Sequence, residues 1–203
     1  MTDVDATSAV RERGSSPESP PGTHVPGDGA MWVMVLGDLI IFGAYFLIFM
    51  VHRALQPEEF LAAQQHLDVT LGMVNTLVLL ASSFFIARSV QKVRAGDHAG
   101  AIRLIYTGGV FGVLFIAVKA VEWTTEIAHG YTLPSSEFFA FYYMLTGVHL
   151  FHVALGLLIL GILVRELRNP RRRRVSMVES GATYWHMVDL LWIVIFALLY
   201  VLR

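Results

Sequence analysis

Five apolar segments, each long enough to cross a lipid bilayer, constrain the fold of this chain more than any other feature. Each reaches the roughly 20 residues that span about 30 Å of hydrocarbon as a helix. Backbone polar groups inside a bilayer must be satisfied within the segment, so each segment is predicted to be a continuous helix. The sequence therefore predicts an all-α, polytopic membrane helix bundle with five transmembrane helices. The segments are residues 30–51, 69–90, 102–123, 138–164 and 182–202.

The composition agrees with a membrane protein and excludes several kinds of redox centre. Charged residues make up 15% of the chain and hydrophobic residues 55%. Soluble domains carry about 25% charged residues. The chain has no cysteine. Disulfides, covalent haem attachment and thiolate-ligated zinc, copper or iron–sulfur centres are therefore excluded.

The charge pattern along the chain predicts its orientation. Residues 1–29 are polar, rich in Ser, Pro and Gly, and lack the apolar stretch of a signal peptide, so they are predicted to be a disordered cytoplasmic tail before a membrane domain at 30–203. Lys and Arg are concentrated between the second and third segments and between the fourth and fifth. The positive-inside rule then places the N-terminus inside and the C-terminus outside.

A run of four arginines at residues 171–174 admits two interpretations. It could bind nucleic acid or anionic lipid, or it could anchor the topology. We favour the topology anchor, because basic residues beside a membrane helix suffice for orientation. No nucleic-acid partner is predicted.

Ionisable residues within or near the apolar segments are the candidate functional residues. Such groups are costly near the bilayer midplane, so they usually face a protein interior and mark a site or a helix contact. The candidates are Asp38, Glu122, His149, His152, Glu179, His186 and Asp189, with Lys119 one turn before Glu122.

His149 and His152 lie about one helical turn apart in the fourth segment, and three readings stay open. Residues at this spacing are neighbours on a helix and could share a metal ion such as zinc. The second interpretation is one haem held by His149 or His152 together with His186 of another helix, because two residues on one helix cannot be opposed haem ligands. The third interpretation, which we favour, is that both imidazoles make interhelical hydrogen bonds.

A proton relay through Asp38, Glu122, His149 and Asp189 is a further hypothesis, since carboxylates and histidines are the usual components of relays. Depth weakens it, because Asp38 and Asp189 are predicted near the inner side and Glu122 near the outer side. We favour local pairs instead, Lys119 with Glu122 and His186 with Asp189, because residues three apart meet easily on a helix.

Several motifs together resemble the subunit III family of haem–copper oxidases, in a short five-helix form. YWHMVDLLW (residues 184–192) is similar to the family's YWHFVDxxW, with Glu179 at the family's spacing before it. TGVHLFH (residues 146–152) is similar to TGxHxxH, and NTLVLLASS (residues 75–83) is similar to NTxxLLxSS. Glu122 matches the glutamate of QxxEY/W. Asp38 stands where the family usually has a buried glutamate.

The resemblance implies a non-catalytic accessory subunit in a bacterial cell membrane. Such a subunit carries no redox cofactor and no metal, with haem and copper only in the partner. It packs its helices around a cleft that holds phospholipid, and it stabilises catalytic subunit I near its proton-uptake side. The seven candidates would then be buried polar groups of the bundle or of the lipid cleft.

Two alternatives to a cytochrome oxidase partner remain. Lys119 before Glu122, and FYYMLTG (residues 141–147), resemble the NorE-like branch associated with nitric oxide reductase. The other alternative is a stand-alone metal or ion transporter that uses His149 and His152.

Overall fold

The computed structural model describes residues 29–170 and 173–202, and every regular element in that part of the chain is helical. Five helices are long and apolar enough to cross a membrane, which confirms the predicted bundle. The predicted tail (except Gly29) and Arg171 and Arg172 of the basic run lie outside the described residues. The helices are α1 (Gly29–Leu55), α2 (Pro57–Gln64), α3 (Val69–Arg94), α4 (His98–Ala128), α5 (Glu137–Arg168) and α6 (Val175–Phe196), and a π-helical turn (Ala197–Val201) continues α6.

Most ends of the transmembrane helices extend beyond the predicted apolar segments. The largest difference is at α6, which begins at Val175, about two turns before the predicted start at residue 182. Its first turns contain an acidic residue, Glu179, which would end an apolar segment. Glu179 is a good helix former and pairs with Arg94 of α3, so the helix begins before its apolar segment does.

Helix α2, between the first two spans, was not predicted. Pro57 stands in its first turn together with Glu58 and Glu59, and both residue types favour a helix N-terminus. The buried ring of Phe60 lies 5.5 Å from that of Phe49 in α1. It also packs against two phenylalanines at the start of α5. The short helix therefore joins the adjacent ends of α1 and α5.

The core is built around α6. Helix α6 packs against α3, α5 and α1, while the most extensive interface in the bundle joins α3 to α4. Of the five spans, the one containing α6 is the most buried and the one containing α1 is the least. Trp185 of α6 is 1% exposed, and its ring lies against Gly112 of α4 and Gly156 of α5. Glycines at these two positions allow three helices to meet at one indole.

The turn between α3 and α4 is short and closely capped. Gly96 has φ of 78°, a left-handed conformation that favours glycine after a helix. The side chain of Asp97 then caps α4, because Oδ1 accepts from the backbone N–H of Gly100 over 2.8 Å. Lys92 Nζ lies 3.0 Å from the other oxygen of the same carboxylate. These contacts hold the pKa of Asp97 below its ordinary value of 3.8.

This cap predicts a pH-dependent start of α4. A lowered folded-state pKa means that the contribution of Asp97 is present above pH 3.8 and is lost as the pH falls through the lowered value. We expect the first turn of α4 to fray only in strong acid in the wild type, and at neutral pH in Asp97→Ala. Amide hydrogen exchange at residues 98–101, corrected for intrinsic rates, measures it.

The matched control for this prediction is Asp68→Ala. Asp68 caps α3 in the same way, accepting from the backbone N–H of Thr70 over 2.8 Å. This variant should loosen the start of α3 and leave exchange at residues 98–101 unchanged. Equal protection of α4 in Asp97→Ala and in the wild type would contradict the assigned role of the cap.

Candidate functional site

Four polar side chains from α4, α5 and the π-helical turn form one hydrogen-bonded group inside the bundle. Lys119 Nζ donates to Glu122 Oε1 over 3.0 Å and to the hydroxyl oxygen of Tyr142 over 3.2 Å. Tyr142 donates to Glu122 Oε1 over 2.7 Å, and Tyr200 donates to the same oxygen. Lys119 is 0% exposed and Glu122 is 3% exposed. We call these four residues the Lys119 cluster.

The Lys119 cluster is closed around its cation. The ammonium group has three protons, and it donates to Glu122, Tyr142 and Tyr200. It also lies 4.6 Å from the ring centre of Tyr142 and 5.2 Å from that of Trp192, which is within the range of cation–π attraction. The cluster therefore ties α4 to α5 and to the end of the last span.

Local structure explains how these residues meet. Lys119 and Glu122 lie three residues apart on α4, and their predicted pairing is confirmed. Tyr200 belongs to the π-helical turn Ala197–Val201, where one additional residue per turn changes the direction of the side chains. Sequence reasoning missed Tyr142 and Tyr200. The available signal was that a tyrosine hydroxyl inside an apolar helix needs a hydrogen-bond partner.

His149 is buried in aromatic surroundings. Its side chain is 0% exposed, and its ring lies edge-on to Phe115, with centres 5.6 Å apart, and against Trp192 at 5.2 Å. Neither ring nitrogen has a hydrogen-bond partner among the described residues. The expected interhelical hydrogen bond of His149 is therefore not found in that part of the chain. The indole ring of Trp192 contacts both the His149 ring and the Lys119 ammonium group.

His152 faces a different neighbour. Its Nδ1 lies 2.8 Å from the carbonyl oxygen of Val148 on the same helix. Its Nε2 lies 3.6 Å from Asp38 Oδ1 of α1, an ion pair when the imidazole is protonated. Asp38 and His152 are half-buried. The two histidines thus contact separate partners, His152 on α1 and His149 in the core.

The other candidates lie between α3 and α6, at the end of the bundle that carries the predicted cytoplasmic loops. Arg94 donates from Nε to Glu179 Oε1 over 2.8 Å, and its Nη2 lies equally close. His186 Nδ1 lies 2.6 Å from the hydroxyl oxygen of Ser83. The predicted direct pair of His186 with Asp189 is wrong, because Ser83 of α3 is the partner of His186 and also interacts with the Asp189 carboxyl group.

The seven candidates therefore occupy three places. Glu122 belongs to the Lys119 cluster and His149 packs beside it. Asp38 and His152 join α1 to α5. The third place, between α3 and α6, contains Glu179, His186 and Asp189. Within the described ranges, no three His, Asp or Glu side chains are grouped as metal ligands would be.

Comparisons with known proteins give the chain its family. The family described as cytochrome c oxidase subunit III matches residues 28–203. Cytochrome c oxidase subunit 3 of Synechocystis sp. is 32% identical over 187 residues, covering 89% of this chain and 79% of the relative. Quinol oxidase subunit 3 of Bacillus spizizenii is 27% identical, covering 84% of each chain.

A third relative has a different organisation. The haem–copper oxidase subunit I+III of Aeropyrum pernix is 29% identical over 185 residues, which are 84% of this chain and 22% of that longer protein. The family match over residues 28–203 includes all five membrane spans of the described structure. This chain belongs to the cytochrome c oxidase subunit III family.

Proposed function

We propose that this chain is a non-catalytic accessory subunit of a respiratory haem–copper oxidase. The observation that carries the proposal is the family match over residues 28–203, which includes all five membrane spans. The polar groups inside the bundle support a non-catalytic role. Lys119 and Glu122 are bonded to each other and to two tyrosines, and Asp38 lies beside His152, so these groups connect helices.

We propose catalytic subunit I of a cytochrome c oxidase, together with other oxidase subunits, as the partners, with haem and copper only in the partner subunit. The name of the Aeropyrum pernix relative combines subunits I and III in one chain, which supports adjacent positions for the two. The proposed role is to stabilise the catalytic subunit and its proton-uptake side during aerobic electron transport. The bacterial relatives support a multi-pass location in a bacterial cell membrane.

Bound phospholipid is part of the same proposal. A groove of about 400 Å³ lies between α4 and α5, and its lining is mostly apolar, with Gly109 and Gly161 among the lining residues. At one end, Arg168 Nη2 donates to the hydroxyl oxygen of Tyr106 over 2.9 Å. An acyl chain fits an apolar groove between helices, and a guanidinium group at its end suits a phosphate.

Co-purification from native membranes tests the partner. We expect the tagged chain, extracted in a mild detergent, to carry a haem–copper oxidase catalytic subunit in a stoichiometric ratio, identified by mass spectrometry. The isolated chain should show no Soret band. An unrelated multi-pass protein with the same tag is the control. Deletion of the chain should make the oxidase lose activity faster during turnover.

Three results would contradict the proposal. Co-purification of a nitric oxide reductase would favour the NorE-like alternative. A chain that purifies alone and transports metal or ions in liposomes, with loss of transport in His149→Ala or His152→Ala, would favour a stand-alone transporter. A stoichiometric haem on the isolated chain would exclude a role without a cofactor.

A further inference from the structure

A polar crevice opens between α3 and α6 at the end of the bundle predicted to face the cytoplasm. Its volume is about 260 Å³, as large as several water molecules. Alanine and valine side chains form the rest of its lining. The polar lining consists of Gln91, Arg94, Glu179, Thr183 and His186.

The crevice runs deep into the membrane span. Glu179 and His186 are both on α6, and their separation along the helix is roughly 10 Å at about 1.5 Å per residue. Asp189 lies one turn further along the same helix, so it is roughly 15 Å from Glu179. Half of a hydrocarbon core is also about 15 Å. Asp189 therefore lies near the middle of the span Val175–Val201.

Asp189 is buried and incompletely bonded. Its side chain is 6% exposed, and its Oδ1 has no hydrogen-bond partner in the described part of the chain. A carboxyl group at this depth is costly and is usually functional. Ser83 of α3 connects it to the crevice, because the Ser83 hydroxyl interacts with the Asp189 carboxyl group and lies 2.6 Å from His186 Nδ1. His186 itself lines the crevice.

We propose that this crevice is filled with water and that Asp189 exchanges protons with the inner aqueous phase through His186 and Ser83. A proton from crevice water binds Nε2 of His186, and the proton on Nδ1 passes to the Ser83 oxygen. The Ser83 hydroxyl proton passes in turn to the Asp189 carboxylate. One proton leaves the water and one arrives at Asp189, and the reverse sequence returns it.

The charged groups on the helices around α6 have ion-pair or hydrogen-bond partners of their own. From α3, Arg94 pairs with Glu179 at the mouth of the crevice. From α1 and α5, Asp38 and His152 pair with each other. The carbonyl oxygen of His152 accepts from the Tyr184 hydroxyl of α6 over 3.4 Å, and position 184 is roughly 140° around the helix from position 189. On α4, Lys119 is bound within its own cluster. The exchange itself is independent of the proposed function, whereas its use by a proton-consuming partner rests on that function.

Cysteine accessibility tests the water-filled crevice directly, because the natural chain has no cysteine. In inverted membrane vesicles, Thr183→Cys should react with a charged, membrane-impermeant maleimide. The control is Leu190→Cys, on the same helix but 54% exposed on the outer surface of the bundle. Since the thiolate is the reactive form, Thr183→Cys is expected to react at least about tenfold faster than the lipid-facing control. Equal rates would overturn the proposal.

Infrared spectroscopy tests the proton transfer. In proteoliposomes, a carboxylic acid band that is absent in Asp189→Asn should respond to a pH jump on the inner side. Ser83→Ala removes the connecting hydroxyl with little change in volume, and it should slow this response at least about tenfold relative to the wild type. His186→Gln serves as a second variant. The relay would be overturned by a band that does not change with the inner pH. It would also be overturned by a band that responds as fast in Ser83→Ala and His186→Gln as in the wild type. Co-purification with an oxidase would be unaffected by either outcome.

Discussion

Lys119→Met is expected to lower the melting temperature of the purified chain by on the order of 10 °C. The substitution leaves the carboxylate of Glu122, which is 3% exposed, buried without its cation. Breaking a buried ion pair from one side costs about 3–5 kcal/mol. For a chain of this length, each kcal/mol corresponds to about 2–4 °C. Thermal unfolding in detergent, followed by tryptophan fluorescence, measures the shift.

Two control variants separate this effect from a general loss of charge. Lys92 and Asp97 are also 3.0 Å apart, but their side chains are 47% and 44% exposed, so Lys92→Met should lower the melting temperature far less than Lys119→Met. Lys119→Met combined with Glu122→Leu removes both buried charges and should recover a large part of the lost stability. If Lys119→Met unfolded at the same temperature as Lys92→Met, the assigned role of the Lys119 cluster would be wrong.

The second large effect is expected where three helices meet at Trp185. A Cβ atom at Gly112 would lie 2.7 Å from the Trp185 ring, and one at Gly156 would lie 2.8 Å from it. The indole cannot move aside easily, because its Nε1 donates to Ser82 over 3.1 Å. Each overpacking substitution costs about 1–3 kcal/mol, so Gly112→Ala with Gly156→Ala is expected to cost about 2–6 kcal/mol.

Gly161→Ala is the matched control for the tryptophan contact. Gly161 is on α5 like Gly156, but a Cβ there would have no heavy atom within 4 Å. Alanine is also the better helix former, by up to about 1 kcal/mol, so this variant should be neutral or slightly stabilising. Adding Trp185→Phe should reduce the cost of Gly112→Ala in a double-mutant cycle. Independent, additive effects would show that the ring is not the obstacle.

The helices could be predicted from the sequence because their cause is local. A run of about 20 apolar residues has no satisfactory alternative to helix in lipid. Lys119 and Glu122 were paired correctly for the same reason, since their contact depends only on a spacing of three residues along one helix. The start of α6 at Val175 was missed because its first two turns, which contain Glu179, lie outside the apolar pattern that was used to place the segment.

The arrangement between helices could not be predicted from the same patterns. A spacing of three also allowed His186 to pair with Asp189, but Ser83 on another helix supplies the partner at 2.6 Å. Tyr200 reaches Lys119 through a π-helical turn, for which the apolar pattern gave no sign. The family resemblance gave the seven candidates as one set of buried or cleft-lining polar groups. Their division among three places follows from packing alone.

The position of Lys119 and Glu122 on one helix has a consequence for the biogenesis of the protein. A nascent membrane protein emerges in chain order, so α4 leaves the ribosome before Tyr142 of α5 and well before Tyr200. During that interval the tyrosines that later surround the cation do not yet exist in the membrane. Because acid and base are three residues apart, each can neutralise the other while α4 enters the lipid.

The short α3–α4 turn adds to this order of assembly. Only residues 95–97 separate the two helices, and they share the most extensive interface in the bundle, so they can be inserted together as a helical hairpin. The helices α5 and α6 then arrive at a hairpin that already carries a neutral Lys119–Glu122 pair. If the acid and the base were on separate helices, the first of those helices would carry an unpaired charge until the second was inserted.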